Sequence, residues 1–179
     1  MISGLEILKT RTYNSTDVRK TLFSVARTVP TYEIELCTVE MGGINYVNGE
    51  AYPSEVGRIL VAHPGQRRYT KGHFECQFVH FICHDREFED KYLRPLPVSL
   101  RLCDETRAPH IFRAMTGAWA KREDGYELYC IGKLMELISA IYSAGKLLGS
   151  IDEKYRRFSH SIIIATEFMR ENFASPLTL

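Results

Sequence analysis

The stretch GINYVNGEAYPSEVGRILVAHPGQRRY at 43–69, followed by HFECQFVHF at 73–81, decides the fold. It sets short apolar segments between turn signals at Asn48-Gly49, Gly57 and Pro64-Gly65. A turn at nearly every eighth residue is the rhythm of a small antiparallel barrel. Asn-Gly between apolar residues carries the most information, because both central residues of a type I′ turn need positive φ, which Asn and Gly adopt at low cost. A hairpin is predicted there. Upstream, Tyr32 to Met41 reads as a strand that passes Gly42-Gly43 into a second at Ile44 to Val47. Downstream, Arg58 to His63 and His73 to Cys83 read as strands. Residues before Tyr32 are expected to add one or two more, with a turn at Asn14-Ser15-Thr16-Asp17.

Beyond Arg94-Pro95-Leu96-Pro97 the hydrophobic period changes from two to between three and four. A helix beginning near Pro109, a residue suited to the first helical turn, places Ile111, Met115, Ala118 and Trp119 on one face, and Asp124-Gly125 is expected to end it. Glu127 to Leu148 then carries Leu128, Ile131, Leu134, Met135, Ile138, Ile141, Tyr142 and Leu148 at helical spacing, over about 33 Å. Cys130, Leu137 and Ala144 widen this apolar stripe. Two readings stay open: an ordinary core helix, or one that also serves self-association through Ile131, Leu134, Ile138 and Ile141. Gly149-Ser150-Ile151-Asp152 is expected to break the chain before a last helix at about Ser159 to Phe173, which Ser175-Pro176 stops.

Composition narrows the function classes. A chain of 179 residues can bury roughly 70% of its unfolded surface, enough for one core with an appendage. With 23 Lys+Arg against 22 Asp+Glu, net charge is +1, so no broad basic face for nucleic acid is expected. The five cysteines, Cys37, Cys76, Cys83, Cys103 and Cys130, are odd in number and form no Cys-x-x-Cys pair, which fits reduced thiols in the cytoplasm. Met1 to Thr10 lacks the apolar stretch of a signal peptide, and no run approaches the ~20 apolar residues of a membrane span. A cytoplasmic location without membrane contact is the expectation.

The turn-and-strand run from Tyr32 to Phe81 resembles the cupin sensor domain of AraC/XylS-type transcription regulators. The resemblance resumes at Ile163-Ile164-Ala165-Thr166-Glu167-Phe168-Met169-Arg170-Glu171-Asn172-Phe173 and Pro176-Leu177-Thr178-Leu179, which look like the first helix of that family's DNA-binding domain and the residues leading to its second. It implies a mainly β chain with C-terminal α structure: a cupin-type double-stranded β-barrel over residues 1–100 that binds an effector, a helical dimerisation segment over 101–149, and over 150–179 a linker with the first helix of a truncated helix-turn-helix domain. DNA contact would belong to sequence beyond Leu179.

Many cupins hold iron or manganese with His-x-His, a Glu and a later His. No His-x-His occurs here, and Arg68 stands four residues after Pro64, where the later His would fall. A guanidinium is no metal ligand, so no cofactor is expected. His80 and His84 would lie about 13 Å apart on one strand, too far to share an ion. Arg58 stands after Gly57 where the family has Asp.

Period two divides Arg68 and Thr70 from Arg67 and Tyr69, and Phe74, Cys76, Phe78 and His80 from Glu75, Gln77, Val79 and Phe81. By the resemblance, the first set of each pair faces an interior that binds small effectors, and Glu40 takes a pocket-facing polar position. The expected ligand-binding set is therefore Glu40, Arg68, Thr70, Cys76, Phe78 and His80. In it Arg68 anchors an anionic or hydroxyl group and Phe78 forms an apolar wall; a Glu40–Arg68 pair could equally be purely structural. The functional expectation is a non-enzymatic effector sensor and homodimerisation module, with a sugar or related metabolite as effector. The alternatives are a metal-dependent cupin enzyme and a dimerisation platform without effector.

Overall fold

The computed structural model describes residues 4–172, with side chains as far as residue 149. Asn48 and Gly49 adopt φ of 51° and 90°, and between them strand β3 (Tyr32–Val47) turns directly into β4 (Glu50–Pro53) as the hairpin reading requires. Around this hairpin run β1 (Leu5–Asn14), β2 (Arg27–Thr28), β5 (Ile59–Ala62), β6 (Arg67–Cys83) and β7 (Ser99–Leu100). All pair antiparallel in the order β1-β6-β3-β5-β7, with β2 added to β6 and β4 to β3. The pairing path ends at β1 and β7, so the sheet is unclosed where the sequence predicts a barrel.

The segments read as separate strands on either side of Gly42-Gly43 are one 16-residue strand. Its register against β6 slips between Cys37 and Val39 and again between Met41 and Gly42. Such bulges bend a strand. The bend is sharp, because Glu35 and Asn45 both hydrogen-bond Arg68 although a straight strand would hold them about 33 Å apart. At the bend the two backbones touch. A Cβ on Gly72, whose φ is +76°, would stand 2.5 Å from the carbonyl oxygen of Gly42, and one on Gly43 would stand 2.7 Å from that of His73. Only glycine permits that approach.

Before β2, Asn14 caps a single helical turn, α1 (Ser15–Val18), its side chain accepting from the Thr16 amide; this is the turn expected there. After β6 come α2 (Arg86–Phe88), a π turn at Glu89–Leu93, then α3 (Arg107–Lys121) and α4 (Tyr126–Asn172). Helix α3 ends at Arg122, which takes the left-handed conformation at φ 54° and lays its guanidinium over Trp119 and Tyr126, two residues before the expected stop. Helix α4 passes through Gly149-Ser150-Ile151-Asp152 without the expected break. One glycine costs a helix only about 1 kcal/mol relative to alanine, and no proline lies between Gly149 and Asn172 to enforce a stop. The stop at Ser175-Pro176 and the residues Pro176 to Leu179 lie outside the described residues.

One face of the sheet carries the core. Ile34, Leu36, Ile59, Val61, Val79 and Phe81 pack against Ile111, Phe112 and Met115 of α3 and Cys130, Leu134, Leu137, Ile138 and Ile141 of α4. Each fully buried side chain of this size contributes about 1.5–3 kcal/mol. Residues Met1–Gly145 form one compact unit and Lys146–Leu179 a second. The stripe proposed for self-association is used within the chain: Leu134 and Ile141 are wholly buried, Ile138 nearly so, and Ile131 packs at the margin. No helix among the described residues is long and apolar enough to cross a membrane.

Candidate functional site

The other face of the sheet is polar and aromatic. Period two along β6 turns Phe74, Cys76, Phe78 and His80 to this side, away from Val79 and Phe81. On one flank β3 sets Glu33 opposite His80, Glu35 opposite Phe78 and Cys37 opposite Cys76. On the other, β1 sets Lys9 opposite His80, Arg11 opposite Phe78 and Tyr13 opposite Cys76. A register shift at Ile7/Lys9 makes the switch on β1, so that Ile7 joins the apolar core while Lys9, Arg11 and Tyr13 face the polar side. The first part of β6 folds back over these rungs and brings Arg68 and Thr70 above them. A cavity of about 260 Å³ results, lined by these β1 and β6 side chains with Glu35, Arg19, Ser24 and Arg27.

Its inner wall is a closed charge network. Arg68 is 4% exposed and donates from Nη1 to Glu33 at 2.8 Å and Glu35 at 2.9 Å, and from Nη2 to Glu35 at 2.8 Å and Asn45 at 3.1 Å. Four of its five N–H groups are thereby committed. Arg27 donates to both oxygens of Glu33 at 2.7 Å, and Thr70 donates its hydroxyl to Asn45, which in turn donates to Ser54. Burial disfavours the Glu33 carboxylate, but the Arg27 hydrogen bonds and the Arg68 charge outweigh it and hold its pKa below the ordinary range. Burial keeps His80 below its ordinary value against the pull of Glu33, whose oxygen lies 4.0 Å away, so the imidazole is neutral at pH 7. Burial also holds the Cys76 thiol far up, which makes it a packing group rather than a nucleophile.

Glu33, Glu35 and His80 offer ligand atoms within 4.8 Å of one another, a grouping that could hold a metal ion by distance alone. Both carboxylates are already engaged by guanidinium donors, Glu33 through three hydrogen bonds and Glu35 through two, and the added charge of a cation would stand beside Arg27 and Arg68. The donor set fits a guanidinium rather than a metal. His84 is not part of the group; it pairs with Glu6 at 2.8 Å.

Five of the six expected ligand-binding residues, Arg68, Thr70, Cys76, Phe78 and His80, meet in the cavity. Glu40 does not. It lies past the register shift at Cys37/Val39, is exposed, and the carboxylates that reach Arg68 are Glu33 and Glu35 instead. The sequence reading also missed Lys9, Arg11, Tyr13, Arg19 and Arg27. Alternation along Leu5–Asn14 could have grouped the first three; nothing local marks Arg19 or Arg27, which reach the cavity through tertiary folding. No protein-family model and no curated protein matches the chain.

Proposed function

We propose that the chain is the effector-sensing and dimerisation part of an AraC/XylS-type transcription regulator, its bent sheet a cupin-type barrel left open on one side. The observation that carries this reading is the cavity: one sheet face is sealed by helices into a core, while the opposite face keeps about 260 Å³ lined by aromatic and cationic side chains. A cavity just under the ~300–1,000 Å³ of most ligand sites, with a few fixed polar groups against an apolar wall, suits small metabolites. An enzyme reading has less to support it, since Cys76 is not ionised and Glu33 and Glu35 are locked to guanidiniums. Occupancy would bias the arrangement of the attached DNA-binding domain, whose first helix the last residues resemble.

Thermal melting of the chain across a panel of neutral sugars, sugar acids and small organic acids tests the reading. A ligand at a hundred times its Kd adds about 2.7 kcal/mol. At least one member is expected to raise Tm in a saturable way; a panel that leaves Tm unmoved counts against a sensor of small metabolites.

A further inference from the structure

The positive charges around the cavity are not all compensated. Arg27 and Arg68 are neutralised by Glu33 and Glu35. Lys9 and Arg11, neighbours on the same face of β1, have no ion-pair partner among the described residues and stand over the Phe78 ring, at 5.9 and 5.8 Å from its centre. Arg19 gives Nη1 and Nη2 to the carbonyls of Thr70 and Gly72, at 3.4 and 2.6 Å, and its buried Nε has no hydrogen-bond partner. Among the described residues no carboxylate forms an ion pair with it. The cavity thus holds a surplus of three cations beside an aromatic wall, in a chain whose overall net charge is +1. Like charges gathered around one cavity repel one another, and an anion between them relieves that repulsion.

Resting on the sensor reading above, we infer that the effector is a small organic anion. Its carboxylate or phosphate is held by Lys9, Arg11 and Arg19, and its apolar or ring portion lies against Phe78. Arg68 shapes the wall and does not read the ligand. A neutral sugar would leave the three charges uncompensated.

Matched pairs test this on the ¹H–¹⁵N spectrum of the chain: benzoate against benzamide, and glucuronate and glucose 6-phosphate against glucose. The anionic member of each set is expected to move the amides of Lys9, Arg11 and Phe78 at lower concentration than its neutral partner, and glucuronate against glucose 6-phosphate separates a carboxylate from a phosphate site. Because Lys9 and Arg11 are exposed on a strand at the sheet edge, the double variant Lys9→Gln/Arg11→Gln should fold. It is expected to weaken benzoate about ten-fold or more and to flatten its salt dependence, while Arg11→Lys retains most of the affinity. Neutral members binding as well as the anions would overturn the inference and leave the sensor reading standing. If no member of any set moves these amides, the cavity is not a binding site and both readings fall.

Discussion

Arg68→Ala is expected to destabilise the chain by about 3–5 kcal/mol, because it removes one partner of a buried charge network and leaves Glu33, 1% exposed, facing Glu35 with only the outer Arg27 to neutralise it. Urea unfolding of both proteins measures the difference. The sign of its pH dependence follows from Glu33. Its folded pKa lies below the ordinary 4.5, so its contribution is present in full above that value and is lost as pH falls through the folded pKa. Without Arg68 the carboxyl keeps the Arg27 hydrogen bonds but loses the Arg68 charge, and so gains less from ionising. The gap between wild type and Arg68→Ala should therefore narrow as pH drops below 4.5. A gap of under about 1 kcal/mol at neutral pH, the size of an exposed ion pair, would show that the network is solvated and that Arg68 is available to a ligand.

Leu134→Ala is expected to cost about 2–5 kcal/mol, as for a leucine with no exposure in a close-packed interior. Leu134→Asp should leave the chain unfolded, since a carboxylate there would sit among Ile111, Met115 and Ile138 without a partner. Circular dichroism and urea titration read both. A Leu134→Asp protein that stays folded and merely loses self-association would contradict the placement of this stripe in the core and return it to a dimer surface.

The hairpin and the strands beside it were legible because their signals are local. Asn48-Gly49 fixes its own turn, and alternation along Phe74 to Phe81 separates the core face from the cavity face without reference to anything distant. Helix α3 was legible for the same reason, its Ile111, Met115 and Trp119 recurring at helical spacing. What failed were inferences across irregularities. Glu40 rested on the resemblance alone; past the register shift at Cys37/Val39 it pairs with Phe74 but is exposed, and Glu33 and Glu35 reach Arg68 instead, while the shift at Ile7/Lys9 hid which face Lys9 and Arg11 take. The width of the apolar stripe on α4 suggested surplus surface, yet a helix packed on both a sheet and α3 needs that width within one chain.

Arg68 shows how a correct position can carry a different role. Its inward direction follows from period two, but its partners come from opposite arms of a bent strand, Glu33 and Glu35 before the bend and Asn45 after it. Both arms lie in the one 16-residue strand, but its alternation does not show that it doubles back. The same bend creates the cavity, which is why the site was only partly visible in the sequence.

The central claim, that this face of the sheet holds a small molecule in its cavity, is tested most directly by metabolite capture. The immobilised chain is exposed to the small-molecule fraction of a cell extract, washed, denatured and its eluate identified by mass spectrometry, in parallel with Ser24→Trp. Ser24 lines the cavity and is half-buried, so an indole there fills the space without entering the core. The account predicts a small acid enriched on the wild-type chain and absent from the variant, with circular dichroism showing both folded. Retention unchanged by Ser24→Trp, or no small molecule enriched at all, would contradict it.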